Sequence, residues 1–178
     1  LPKPQAQHKA EVLPGRFRRW FAERGWKPRP HQLELIAHAG PGHSVLLIAP
    51  TGAGKTLAGF LPSLIDLSED NRRAPGSIHT LYISPLKALA VDIARNLDAP
   101  VAEMKLPIRV ETRTGDTPQA KRQRQKLDPP DILLTTPEQL ALLLSGSDAE
   151  RLFGGLRRVV VDELHALAPT KRGDLLAL

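Results

Sequence analysis

The chain has 178 residues, enough for one domain with its own core, and its 41% hydrophobic and 25% charged content argues against a disordered chain. It has no cysteine, which excludes a disulfide framework, a zinc–thiolate site and a cysteine nucleophile, and no run approaches the ~20 apolar residues of a membrane-spanning helix. The net charge of +6 resides in residues 1–30, with eight Lys/Arg against two Asp/Glu, while residues 31–178 carry seventeen of each. Basicity therefore speaks for a polyanionic partner only at the leading segment.

Residues 1–13 are polar, Pro-rich and basic, lack the apolar core of a signal peptide, and are expected to be a flexible lead-in to a domain spanning 14–178. Pro14 suits the first turn of a helix that Gly25 stops, and Phe17, Trp20 and Phe21 fall on one face of it. A second helix is predicted from Pro30 to Ala39, with Leu33, Ile36 and Ala37 inward. Ser44–Ala49 reads as a short buried strand, and Lys55–Leu67 as a helix kinked at Pro62. Ser68–Ser77 is a polar loop, expected to be mobile. Then strands at Thr80–Ser84, Ile108–Thr112, Ile132–Thr135 and Leu156–Val161 alternate with helices at Leu86–Leu97, Pro118–Leu127, Glu138–Leu144 and from Glu163 onward. Apolar runs separated by helical patterns predict an α/β fold, a mostly parallel central sheet with helices on both faces. The last residues to Leu178 fall inside an apparent helix, which reads as a cut.

Two stretches carry chemistry. Ala49-Pro50-Thr51-Gly52-Ala53-Gly54-Lys55-Thr56 follows the first predicted strand and opens a helix. In that setting Thr51, Gly52, Ala53, Gly54, Lys55 and Thr56 form a phosphate-binding loop, whose glycines let backbone N–H groups curl around phosphate oxygens. Lys55 then reaches the β and γ phosphates of ATP, and the Thr56 hydroxyl ligates Mg²⁺. Ala49 departs from the strict pattern, which has Gly there; a plain Gly-rich turn is the bland alternative.

Val159-Val160-Val161-Asp162-Glu163-Leu164-His165 is an apolar strand ending in acids. Ligands of parallel sheets sit at the carboxyl ends of strands. Asp162 is thus placed to bind the Mg²⁺, and Glu163 to activate or orient the water that attacks the γ-phosphate. Acids also favour helix starts on their own account. His165 has three readings: metal ligand, helix cap, or link from the nucleotide site to another part of the molecule. A lone His is a weak metal signal, and that reading is rejected.

These residues together resemble the nucleic-acid-dependent ATPases of helicase superfamily 2. Asp162-Glu163-Leu164-His165 matches the DExH box, Ser84-Pro85-Leu86-Lys87-Ala88-Leu89-Ala90 is similar to motif Ia, and Thr114-Gly115-Asp116-Thr117 to motif Ib. Thr135-Thr136-Pro137-Glu138-Gln139-Leu140 resembles the threonine-proline-glutamate motif, and Gln32 with Arg29 the adenine-reading Q motif. The wording is most like the large-helicase-related (Lhr) group, and within it the bacterial ligase-associated DExH-box DNA helicases.

The resemblance implies a RecA-like first motor domain, with Lys55, Asp162 and Glu163 catalytic and Arg29 and Gln32 on the adenine. It implies that Pro85, Lys87, Gly115, Asp116, Thr136 and Pro137 grip a nucleic-acid backbone, and that His165 couples the two sites. The implied activity is Mg-ATP hydrolysis driving 3′-to-5′ movement on single-stranded DNA, in DNA repair in the bacterial cytoplasm at the nucleoid. Implied partners are single-stranded DNA (or RNA), a second RecA-like domain of the same protein, and a repair ligase or nuclease, with no membrane. The arginine finger belongs to that second domain, so these residues alone are expected to turn over poorly. Trp26 is another adenine platform, or a core aromatic. The basic run Lys121–Lys126 reads as a solvated helix face, with contact to a duplex or a partner as the alternative. An RNA-dependent ATPase, an ATP-gated clamp and an unrelated P-loop kinase remain as rivals.

Overall fold

The computed structural model describes residues 12–50, 52–69 and 75–177; most of the lead-in, Thr51 and the middle of the Ser68–Ser77 loop lie outside them. The chain enters through two short helices, α1 (Gly15–Glu23) and α2 (Pro30–His38). Phe17, Trp20 and Phe21 of α1 are all buried, as their helical spacing dictates. On α2, Leu33 and Ile36 pack against the core, but Ala37 is exposed and Gln32 is the buried residue. The face of α2 is therefore rotated from its apolar pattern, because Gln32 has polar partners inside, described below.

Next come α3 (Lys55–Ser68), β1 (Thr80–Ile83), α4 (Lys87–Glu103), β2 (Val110–Arg113), α5 (Gln119–Leu127), β3 (Ile132–Thr135) and α6 (Pro137–Leu144). They are followed by α7 (Ala149–Phe153), β4 (Arg158–Val161), α8 (Leu164–Leu167) and α9 (Lys171–Ala177). α3 continues through Pro62, and α4 runs past Leu97 and through Pro100. α7 had no periodic signal; it buries Leu152 and its carbonyl accepts a bond from the Ile78 N–H at 2.8 Å.

The four strands are ordered β2-β3-β1-β4, and every pair is parallel. Strand alternation divides two cores. Tyr82, Ile132 and Leu134 face a core with Phe17, Phe60 and Leu97, while Leu81, Ile83 and Leu133 face another with Leu140, Leu143 and Leu152. Helices thus cover both faces, and the central strands β1 and β3 are buried at every position.

One expected strand is not formed. Residues 44–50 are irregular, and Leu46 and Ile48 are 71% and 86% exposed. An apolar run becomes a strand only where a ladder receives it. Here β4 pairs with β1 alone, and its other edge carries no strand among the described residues. The end of α2 before it is tied to β4, where Arg158 Nη2 donates to the Ala39 carbonyl at 2.9 Å, but residues 44–50 do not pair with the strand.

Candidate active site

Two contacts fix how α3 lies on β4. Arg158, at the start of the strand, pairs with Asp66 near the end of the helix, and Val160 Cγ1 lies 3.4 Å from the Cβ position of Gly59. Helix numbers fall as strand numbers rise, so α3 is antiparallel to β4. Extending that register, Asp162 lies at the same end as the helix N-terminus and the loop before it. There Gly52 and Gly54 have φ of 77° and 72°, the left-handed region that glycine adopts without cost, and Gly54 caps α3. Lys55 curls over the loop, its Nζ donating to the Ala49 carbonyl at 2.8 Å. Ala53 is buried, Thr56 is partly exposed, and Thr51 lies outside the described residues.

The loop is tied to α2 at adjacent carbonyls. His31 Nε2 lies 2.9 Å from Ala53 O, and Gln32 Nε2 donates to Gly54 O at 3.3 Å. Gln32 Oε1 accepts from the Arg29 N–H at 2.9 Å, capping α2. Gln32 is thus a brace between helix and loop, with one amide hydrogen left for a ligand beyond these bonds. His31 carried no signal in the sequence, because its partner is a backbone carbonyl far along the chain.

Gln32, Arg29, Trp26, Gly54 and Thr56 line a cavity of about 710 Å³ that α4 closes from the far side through Arg95 and Asn96. Trp26 is half-exposed on its wall and not a core aromatic. Trp20 meets it edge-on at 5.8 Å and the Arg24 guanidinium lies 4.8 Å over it. Glu103 anchors that group, accepting from Trp20 Nε1 at 2.6 Å and pairing with Arg24.

The Asp162 N–H donates to Ile83 O at 2.9 Å, which places the acid directly beyond the ladder. Burial, and then the hydrogen bond and charge of Asp162, push the Tyr82 phenol far up, so it stays protonated under Asp162. Glu163 has φ 48°, a left-handed conformation rare outside glycine. His165 Nδ1 lies 3.3 Å from Glu163 Oε2 on an exposed flank.

The residues read as a nucleic-acid grip follow β1, β2 and β3 at this same end. Lys87 Nζ holds Asp116 at 2.9 and 3.1 Å, close over Gly115. Arg122 donates to the carbonyls of Thr114, Gly115 and Thr117, at 3.2, 2.6 and 2.7 Å. The basic run is more than a solvated face: Gln123 and Arg124 are exposed, but Arg122 shapes the turn after β2, Gln125 is buried, and Arg124 pairs with Glu111. Thr136 and Pro137 are buried at the start of α6, which leaves mainly their backbone to a ligand. Pro85 O accepts from Arg172 Nη1 at 2.7 Å.

A profile of the DEAD/DEAH box helicase family matches residues 29–178. The chain belongs to this family. The Lhr helicase/probable uracil glycosylase of Mycolicibacterium smegmatis is 46% identical over 92% of this chain and 12% of its own length. The ATP-dependent helicase Lhr-Core of Methanocaldococcus jannaschii is 41% identical over 94% of this chain and 21% of its own. The structure of Mycobacterium smegmatis helicase Lhr bound to ssDNA and AMP-PNP superposes with a TM-score of 0.84 at 41% identity, over 95% of this chain and 22% of that one. The DUF1998 helicase MrfA bound to DNA and AMPPNP gives a TM-score of 0.77 at 30% identity, over 94% and 22%. The chain thus spans about a fifth or less of these helicases. The fold they share is the RecA-like helicase domain.

Proposed function

We propose that this chain is the ATP-binding first motor domain of a DNA helicase or translocase, in which Mg-ATP hydrolysis drives movement on single-stranded DNA, with a role in DNA repair. The observation that carries this is the antiparallel seating of α3 on β4, which brings the glycine loop and the Asp162–Glu163 pair to one end of the sheet. Likeness to an Lhr structure bound to ssDNA and AMP-PNP supports the substrate class.

Thr51, Gly52, Ala53, Gly54 and Lys55 hold the phosphates, and Arg29, Gln32 and Trp26 flank the base in the cavity beside them. A hard cation such as Mg²⁺ takes oxygen donors, usually one or two carboxylates plus phosphates. The Thr56 hydroxyl and the Asp162 carboxylate are such a set. Among the described residues no three His, Cys, Asp or Glu gather to hold an ion without phosphate. Bound there, Mg²⁺ would neutralise charge on the β and γ oxygens. Glu163 orients the attacking water and takes its proton. Lys87, Asp116, Gly115, Pro85, Thr136 and Pro137 present turns to the nucleic-acid backbone, a surface that positions a strand without reading its sequence. A second RecA-like domain closes over the nucleotide, His165 links the nucleotide site to the strand, and a repair ligase or nuclease is a working partner.

The test is ATP hydrolysis by the longest natural form of the protein with no polymer, with single-stranded DNA and with single-stranded RNA. Strong stimulation by DNA is expected, and Glu163→Gln lowers turnover by about 10²–10⁴-fold. Stimulation by RNA alone moves the substrate class, and stimulation by neither withdraws the motor reading.

A further inference from the structure

Arg172 makes a junction that the nucleotide chemistry does not use. Its Nη1 donates to Pro85 O at 2.7 Å, and its Nε lies 2.5 Å from Glu138 Oε1. Pro85 is in the turn after β1 and Glu138 in the first turn of α6, directly after β3, and these strands are paired neighbours. One planar guanidinium therefore holds two adjacent turns of the strand-gripping surface, which the point charge of an ammonium does less well. Burial pushes the Glu138 carboxyl up, but its own backbone N–H, the Thr136 hydroxyl and Arg172 outweigh this and hold it below the usual range. It therefore meets Arg172 as a carboxylate.

The root of Arg172 is equally fixed. α8 starts directly after Glu163, and α9 folds back on its end. A Cβ on Gly173 would lie 2.6 Å from Leu167 O and 3.1 Å from the Ala168 Cα, so the two helices meet without room for a side chain. Gly173 N–H donates to Thr170 O at 2.8 Å, and the Thr170 hydroxyl to Leu167 O at 2.7 Å. Leu176 anchors α9 against the core that holds Leu140 and Leu143. Movement of the backbone at Glu163 is thus transmitted to Arg172 through a tight corner.

We infer that Arg172 is a positioning residue that couples the segment carrying Glu163 to the Pro85 and Thr136–Glu138 turns, and so sets their hold on a nucleic-acid strand. This rests on the function proposed above for that surface. The ion pair is 47% and 45% exposed, and such pairs add little stability, so its loss acts on placement more than on folding.

The experiment compares wild type, Arg172→Met, Arg172→Lys and Glu138→Gln in the longest natural form, by ATP hydrolysis across a titration of single-stranded oligodeoxythymidylate. Arg172→Met is expected to raise the DNA concentration for half-maximal stimulation by roughly 3- to 30-fold, with DNA-free hydrolysis and the KM for ATP held within about twofold. Glu138→Gln, which cuts one of the two contacts, gives a smaller rise, and Arg172→Lys stays nearer to Met than to wild type. A merely structural contact would instead lower the Tm and scale hydrolysis with and without DNA together. Unchanged half-saturation in Arg172→Met and Glu138→Gln, with a DNA-stimulated wild type, overturns the coupling role alone. A wild type that neither DNA nor RNA stimulates overturns the motor function and the coupling with it. If Arg172→Met does not fold, Glu138→Gln decides.

Discussion

Glu163 sits with φ 48° and ψ 45° at the start of α8. That left-handed conformation costs a side-chain-bearing residue about 1–2 kcal/mol. The strain is stored at the residue assigned to the attacking water, where function and stability compete. Glu163→Gly is expected to raise stability by about 1 kcal/mol, a gain of roughly 2–4 °C in Tm for a chain of this size. The same change removes the carboxylate and lowers turnover by about 10²–10⁴-fold. Glu163→Ala keeps the strain and loses the base, so calorimetry of the two variants separates backbone from side chain. Equal Tm values for them would show that the left-handed turn stores no strain. Gln32 illustrates a different economy. Its carbonyl caps α2 and its amide reaches the loop, so the residue assigned to the base also sets the loop's position.

At the scale of elements, the corner between α8 and α9 has no slack. Gly173→Ala drives a methyl group onto Leu167 O, a backbone atom that cannot rotate aside. The expected result is displacement of α9 and loss of the Arg172 contacts, with a cost of about 1–3 kcal/mol, the range for overpacking. Circular dichroism melts check the cost, and DNA-stimulated hydrolysis checks the contacts. The same corner shows where reading the sequence stops. Local patterns found the buried face of α1, the glycine loop and the acids after β4, because each is encoded within a few residues. Arg172, Arg122 and His31 escape such patterns, since their partners include backbone carbonyls 87, 5 to 8 and 22 positions away. The run Ser44–Ala49 reads as a strand because it is apolar, yet pairing depends on a neighbour that composition does not report. Ala37 failed likewise: the bonds of Gln32, not apolarity, set the rotation of α2.

For the molecule as a whole, acid acts in two stages. His79 is buried immediately before β1, its Nδ1 2.8 Å from the Thr80 hydroxyl. Burial, against the pull of Asp66, holds its pKa below the ordinary imidazole value of 6.5. The unfolded chain then binds that proton more readily, so this contribution is complete above pH 6.5 and lost as pH falls below it. Glu111 behaves as a second group: burial raises it, but bonds from Arg124 and Gln125 prevail and hold it below 4.5. Its stabilisation is present above pH 4.5 and lost beneath. A plot of Tm against pH is expected to fall first below about 6.5 and again below about 4.5, and His79→Gln is expected to flatten the first fall alone. A single transition in the wild type would rule this out.

The unpaired side of β4 has a consequence for the chain in solution. Among the described residues no strand pairs with the outer edge of β4, whose Val159 and Val161 are 52% and 38% exposed, so it presents a row of main-chain donors and acceptors outside any ladder. Such a row is a template for a foreign strand. Samples of the 178-residue chain are therefore expected to grow in particle size with concentration, and Val159→Lys on that edge to slow the growth. Light scattering over a dilution series measures it, and a size independent of concentration would show the edge to be inert. If the edge is adhesive, shelf life rather than enzymology limits how much of this polypeptide can be kept in one tube.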